Sequence, residues 1–344
     1  MSTADLTTAP IRTKRRPLAF LSRSQLWRRE RQSLTVWPAL ILLLVIGAFV
    51  SPAFLTATNI VNVLQQASSL AVLTLGMSLV LLAGNFDLSI ESTSAFAPMI
   101  AASLIVAAPF GFGVGLSPWL GLLIALLIGA LIGALNGFLV TRFRLNSFIT
   151  SLAMLILLRG ATLGVSNGQT IYSPPPVFTY LGSAKIGPIP VSIIFAALLC
   201  IAVAVFLNHH RIGRSIYAIG ANPRAARAAG IHVDRIVVGT FVVAGILAAL
   251  AGIITSGRID SVVANQGTND ALSVMAALAI GAFSLNGGRG TILGAVTGVL
   301  FLSFIANVLT LANVPSYWVD ASRGAIIVVA LLMTRYTTRD TRQD

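Results

Sequence analysis

Ten apolar runs, near positions 36–55, 60–83, 88–108, 118–140, 147–165, 188–208, 236–257, 271–285, 291–312 and 317–334, leave the chain few folds to choose from. An α-helix of about 20 such residues crosses the roughly 30 Å of bilayer hydrocarbon. With 56% hydrophobic residues, 10% charged residues and a mean hydropathy of +0.90, a water-soluble globule would expose far too much apolar surface. The expected fold is an all-α polytopic membrane protein of about ten transmembrane helices. Two runs are weaker than the rest: 88–108 carries Glu91 and Pro98, and 271–285 is short enough for a broken or re-entrant helix.

The 23 basic residues outnumber the 10 acidic ones, and they gather in the tails and short connections rather than on one face. That placement argues for membrane orientation and against nucleic acid. Residues 1–35, with Arg12, Lys14, Arg15, Arg16, Arg23, Arg28, Arg29 and Arg31, read as a basic cytoplasmic tail. No cleavable signal peptide is evident, because the first apolar run begins near Val36 and more follow; an organellar transit peptide is the competing reading, against which stands the lack of an amphipathic period. Counting ten crossings from inside places Arg142 and Arg144, the connection 209–235, Arg289 and the tail 336–344 in the cytoplasm. Both termini are then cytoplasmic, around a transmembrane domain at 36–335. The single Cys200 excludes an intramolecular disulfide, and His209, His210 and His232 lack carboxylate partners at metal-binding spacing, so no metal is expected.

The connection at 209–235 is the one long polar island between apolar runs. Within it Asn222 suits a helix N-cap, Pro223 the first helical position, Ala225 to Ala229 the helix body and Gly230 its left-handed close. The spacing predicts a two-turn helix studded with Arg224 and Arg227, more structure than a topological tether needs. Gly213, Arg214, Ile216, Tyr217, Ala218, Ile219, Gly220, Asn222, Ala225, Ala226, Gly230, Ile231 and Val233 stand in the order found in the intracellular coupling loop of ribose and simple-sugar ABC importer permeases, within the ribose/branched-chain amino acid permease superfamily. The chain resembles that family over most of residues 60–335. Gly84-Asn85-Phe86-Asp87-Leu88-Ser89-Ile90 is similar to its Gly-Gly-Ile-Asp-Leu-Ser-Val signature, and Asn136-Gly137, Phe148-Ile149, Arg159-Gly160, Gly168-Gln169, Gly281, Gly287-Gly288, Gly290 and Gly294 match further sections. Departures fall at Ala221 and Ser147, at Glu91 where glycine is usual, and at Ala271 where glutamate is usual, with Asp270 one residue earlier.

Ten runs make two halves of five, in which the fourth would run inward and the ninth outward, as in inverted halves. The resemblance implies a type II ABC-importer-like permease, with Gly213, Arg214, Asn222, Pro223, Arg224, Ala225, Ala226, Arg227 and Gly230 meeting a cytoplasmic ATPase. It also implies a second permease subunit, an extracytoplasmic sugar-binding protein, and ATP with Mg held by the ATPase rather than by this chain. No cofactor is expected on this chain itself. Gly111-Phe112-Gly113-Val114-Gly115 and Gly287-Gly288-Arg289-Gly290 do not complete a phosphate-cradling loop, and no hydrolase constellation appears, so the chain is not read as an enzyme.

Two glycine ladders, Gly129, Gly133 and Gly137 in the fourth run and Gly290, Gly294 and Gly298 at the ninth, are expected to let helices approach closely. Asp87 and Glu91, four residues apart, are expected to share a helix face, and two readings of them stand side by side. They line a polar sugar path with Gln65, Gln66, Ser69 and Asn85, or Asp87 caps the third helix and Glu91 favours its dipole. An ion-driven secondary transporter working through Asp87 and Glu91 is the competing function, and nucleosides or branched-chain amino acids are the competing substrates.

Overall fold

The structure, a computed structural model, describes residues 37–107, 111–319 and scattered positions between 321 and 328. The N-terminal tail, most of the tenth run and the C-terminal tail lie outside the described residues. Twelve helices are bounded among them: α1 Trp37–Val50, α2 Ala57–Leu82, α3 Ile90–Ile105, α4 Pro118–Arg142, α5 Ser147–Ser166, α6 Pro176–Ser183, α7 Val191–His209, α8 Arg211–Ala221, α9 Pro223–Ala228, α10 Val233–Ile259, α11 Asp270–Ile280 and α12 Ile292–Leu311. Four two-residue strands join the loops: β1 Ile171–Tyr172 pairs antiparallel with β4 Ser261–Val262, and β2 Lys185–Ile186 with β3 Ile189–Pro190.

Among the described residues six helices, α2, α4, α5, α7, α10 and α12, are long and apolar enough to span a bilayer. The runs near 36–55, 88–108 and 271–285 yield the shorter α1, α3 and α11. α1 is bounded on one side by the start of the described residues and on the other by Ser51-Pro52. Local chemistry explains the other two: the turn at Asp87 to Ser89 delays α3, and α11 stops at Gly281 after 11 residues, about 16 Å or half the hydrocarbon thickness.

The centre is α2 packed against α10. From Val72 to Leu82 every residue of α2 is buried, as expected for a helix apolar all round and enclosed by others. The packing has the exchange symmetry of two halves. Replacing α2, α3 and α4 by α10, α11 and α12, and the reverse, carries the α2·α10 contact onto itself. It also carries α4·α10 onto α12·α2, α3·α4 onto α11·α12 and α3·α10 onto α11·α2, all of which occur.

The first glycine ladder packs as expected. A Cβ at Gly129 would strike Gly245 O, one at Gly133 would strike Phe241 O, and one at Gly137 would lie 2.9 Å from Val238 Cα, so α4 and α10 cross backbone to backbone. The second ladder is corrected. Thr291 caps α12, its hydroxyl accepting from Gly294 N at 3.1 Å, so Gly290 precedes the helix and sits against the Phe283 ring. Gly294 and Gly298 are the two rungs, set on Gly281 and Ala277 at the α11 end of the bundle.

The two ends of the bundle differ in charge. One gathers the ends of α2, α4, α7 and α8 with the starts of α5, α10 and α12, tied by Gly288 N donating to Leu82 O at 3.0 Å and Phe86 N to Ser147 Oγ at 3.1 Å. It holds Arg142, Arg144, Arg211, Arg214, Arg224, Arg227, Arg235 and Arg289. The opposite end, tied by the Asn59–Asn307 amide pair at 2.9 Å, holds Lys185 and Arg258 among the described residues.

Candidate coupling loop and central polar cluster

The polar island folds as two helices, one of them unforeseen. α8 is amphipathic: Gly213, Ile216 and Ile219 turn inward at three-residue spacing, and Arg211 and Arg214 stay out. His210 caps it, its Nδ1 accepting from Ile212 N at 3.2 Å, which gives that histidine a structural use. α9 then follows the caps read from the sequence. Asn222 Oδ1 accepts from Arg224 N and Ala225 N, both at 3.0 Å, and Pro223 occupies the first helical position. Gly230, at φ 82°, closes the helix: its N–H donates to Arg227 O at 2.9 Å and Ile231 N donates to Ala226 O at 3.1 Å, a Schellman pair.

Not every residue of α9 is free to meet a partner. Ala226 is buried in the chain's own core, 4% exposed, while Ala225 and Arg224 face outward. Ala226 therefore seats α9 on the bundle and Ala225 marks its free face. Arg227 is tied back to α10, since its Nη2 meets Asp234 Oδ1 at 2.9 Å in an exposed pair worth little by itself.

Asp87 and Glu91 have different partners. Asp87 precedes α3, and its Oδ1 accepts from Ser89 N at 3.1 Å, a turn-making bond; the N-cap position itself is Ser89, so Asp87 shapes the turn before the helix rather than capping it. Asn136 of α4 spans to the same turn, its Nδ2 donating to Ser89 Oγ at 2.7 Å. Glu91 points elsewhere. Its Oε1 pairs with Arg159 Nη2 of α5 at 2.8 Å, and its Oε2 accepts from Ala271 N at the start of α11, 3.1 Å away. Two of the four departures from the family pattern, Glu91 and Ala271, thus touch. Arg159 Nη1 also donates to Gln266 O at 3.1 Å, and Gln266 is held in turn by Ser94 O at 2.8 Å, Gly252 O at 3.0 Å and Ser256 Oγ at 3.1 Å. This buried cluster joins α3, α5, α10 and α11, and Gln266, Ser94 and Ser256 carried no sign of it in the sequence.

The other expected pathway residues do not converge on it. Gln65 donates to Gly182 O at 2.9 Å toward the far end of α2, Gln66 is exposed, Ser69 bonds back to Gln66 O at 3.2 Å, and Asn85 to Ala83 O at 3.3 Å. Local backbone bonds satisfy polar side chains that a helical wheel alone would aim at a path.

A central pair of helices, short helices meeting at their starts and a capped loop helix at the basic end define a membrane permease subunit. The sequence family described as branched-chain amino acid transport system / permease component matches residues 59–331, and this chain belongs to it. It is similar to the ribose import permease protein of Escherichia coli strain K12, 35% identical over 311 residues that cover 89% of this chain and 94% of that one. It is similar also to the ribose import permease protein of Bacillus subtilis strain 168, 36% identical, covering 88% and 93% of the two chains. The L-arabinose ABC transporter permease protein of Azospirillum brasilense is 31% identical and covered to 97% on both sides. No solved structure matches the chain.

Proposed function

We propose that the chain is the transmembrane subunit of an ATP-binding-cassette importer that moves a monosaccharide or similar small polyol across the bacterial inner membrane by alternating access. The observation that carries this reading is the near full-length similarity to proteins named for ribose and L-arabinose transport. Two copies, or this chain and a close homologue, enclose the path. A cytoplasmic ATPase holding ATP and Mg docks on α9, and an extracytoplasmic binding protein delivers the sugar. Hydrolysis belongs to the ATPase.

The test is uptake into proteoliposomes holding the permease, its ATPase and its binding protein. Accumulation of D-ribose or L-arabinose that needs enclosed ATP and ignores a protonophore is expected. Accumulation of L-leucine alone would move the substrate to the branched-chain amino acids, and uptake abolished by protonophore without ATP would make the chain a secondary transporter.

Orientation follows from charge, with the arginine-rich end in the cytoplasm. In a variant lacking Cys200, a cysteine replacing exposed Ala228 is expected to resist an impermeant thiol reagent in intact cells, and one replacing exposed Tyr180 to react. The opposite labelling pattern would invert the topology.

A further inference from the structure

α9 has two routes into the bundle. One runs through the Ala226 seat and the Arg227–Asp234 pair to α10. The other is a crossing of three backbones at the end of α8. A Cβ on Gly220 would strike Leu82 O and Gly288 N, one on Gly288 would lie 2.6 Å from Ala221 N, and one on Gly287 would lie 2.6 Å from Gly84 Cα. Gly288 N donates to Leu82 O at 3.0 Å within the same crossing, and Tyr217 OH, one turn earlier on α8, donates to Gly290 O at 3.0 Å. At the glycines themselves backbone meets backbone, with no rotamer there to absorb a displacement, and close-packed contacts of this kind pass strain on. Beyond the crossing stand the wholly buried end of α2 and the loop from α11 to α12.

We propose that Gly220 and Tyr217 are positioning residues that carry movement of α9 into α2 and the α11–α12 loop, coupling ATP turnover to opening of the path. The proposal rests on the docking role of α9 given above. It makes α11 the responsive element of the second half, because its start is fixed by Glu91 and its exit loop is held by α8.

The experiment measures D-ribose transported per ATP hydrolysed by the complete complex in proteoliposomes, at matched amounts of folded protein. Gly220→Ala and Tyr217→Phe are expected to keep the ATPase bound and hydrolysing while transport per ATP falls, by roughly threefold to thirtyfold, the span seen for residues that carry coupling. Tyr217→Phe removes one hydroxyl and carries the test if Gly220→Ala does not fold. Unchanged transport per ATP in Tyr217→Phe, or transport lost only in proportion to lost ATPase binding, overturns the proposal and leaves the docking reading standing. The docking reading fails separately if Ala225→Glu, on the exposed face of α9, leaves the ATPase bound and transport intact, and the proposal falls with it.

Discussion

Glu91→Ala is expected to be among the most damaging single substitutions in the chain. It strips the partner from Arg159, whose side chain is 18% exposed, and removes the acceptor of Ala271 N at the start of α11. Deleting one member of a fully buried pair costs about 3–5 kcal/mol; this pair is part-buried and Arg159 keeps its bond to Gln266 O, which places the cost below that range, and the lost cap adds about 1 kcal/mol. Thermal unfolding of the purified protein in detergent should show a clear fall in midpoint. The double variant Glu91→Ala, Arg159→Leu should recover part of the loss, because no unpaired guanidinium remains, and the missing cap sets the remainder. A single variant as stable as its parent would show that water reaches Arg159 freely and that the cluster does not bind the halves together.

What could be read from the sequence divides along the range of the interaction. Asn222, Pro223 and Gly230 act on backbone groups within a few residues, so the boundaries of α9 followed from residue type. Thr291 is the same kind of cap, and reading it would have placed Gly290 outside α12; a four-residue glycine spacing continues past a helix start without regard to it. α8 also left a signal, in Gly213, Ile216 and Ile219, which the surrounding arginines masked. The Glu91–Arg159–Ala271 cluster left none. Its members come from α3, α5 and α11, and only the fold brings a carboxylate on one half to an amide of the other. The same limit explains Asp87 and Glu91: four-residue spacing puts two side chains on one face only if helix runs through both, and here Asp87 stands in the turn before α3.

The paired packing of the halves puts mechanical weight on the α2 and α10 cores. Both reach the basic end, α2 at the glycine crossing and α10 through the seat of α9, so a load applied there acts on the symmetric centre of the subunit. α11 is about 16 Å long, from its start at the Glu91 cluster to the loop under α8. A short rod held at its two ends by different halves is suited to convert their relative motion into a change between them.

Gly133→Ala and Gly160→Ala are the same chemical change in two neighbouring helices, and they are expected to shift stability in opposite directions. At Gly133 the added methyl enters the crossing with α10, where it meets Phe241 O and sits 2.9 Å from Val242 Cα, backbone atoms that cannot turn aside. Overpacking of this kind costs about 1–3 kcal/mol, and the flanking contacts at Gly129 and Gly137 leave the helices no direction in which to separate without losing those as well. Gly133→Leu should leave no folded permease. Gly160, on the outer face of α5, has nothing within 4 Å of its would-be methyl, so alanine there restores ordinary helix propensity and should add about 0.5–1 kcal/mol. Thermal unfolding of the isolated subunit reads both changes. Loss of stability in Gly160→Ala seen only in the assembled importer would place α5 at the contact with the second permease subunit, whereas equal loss at both sites in the isolated subunit would refute the α4–α10 crossing as the place where glycine is required.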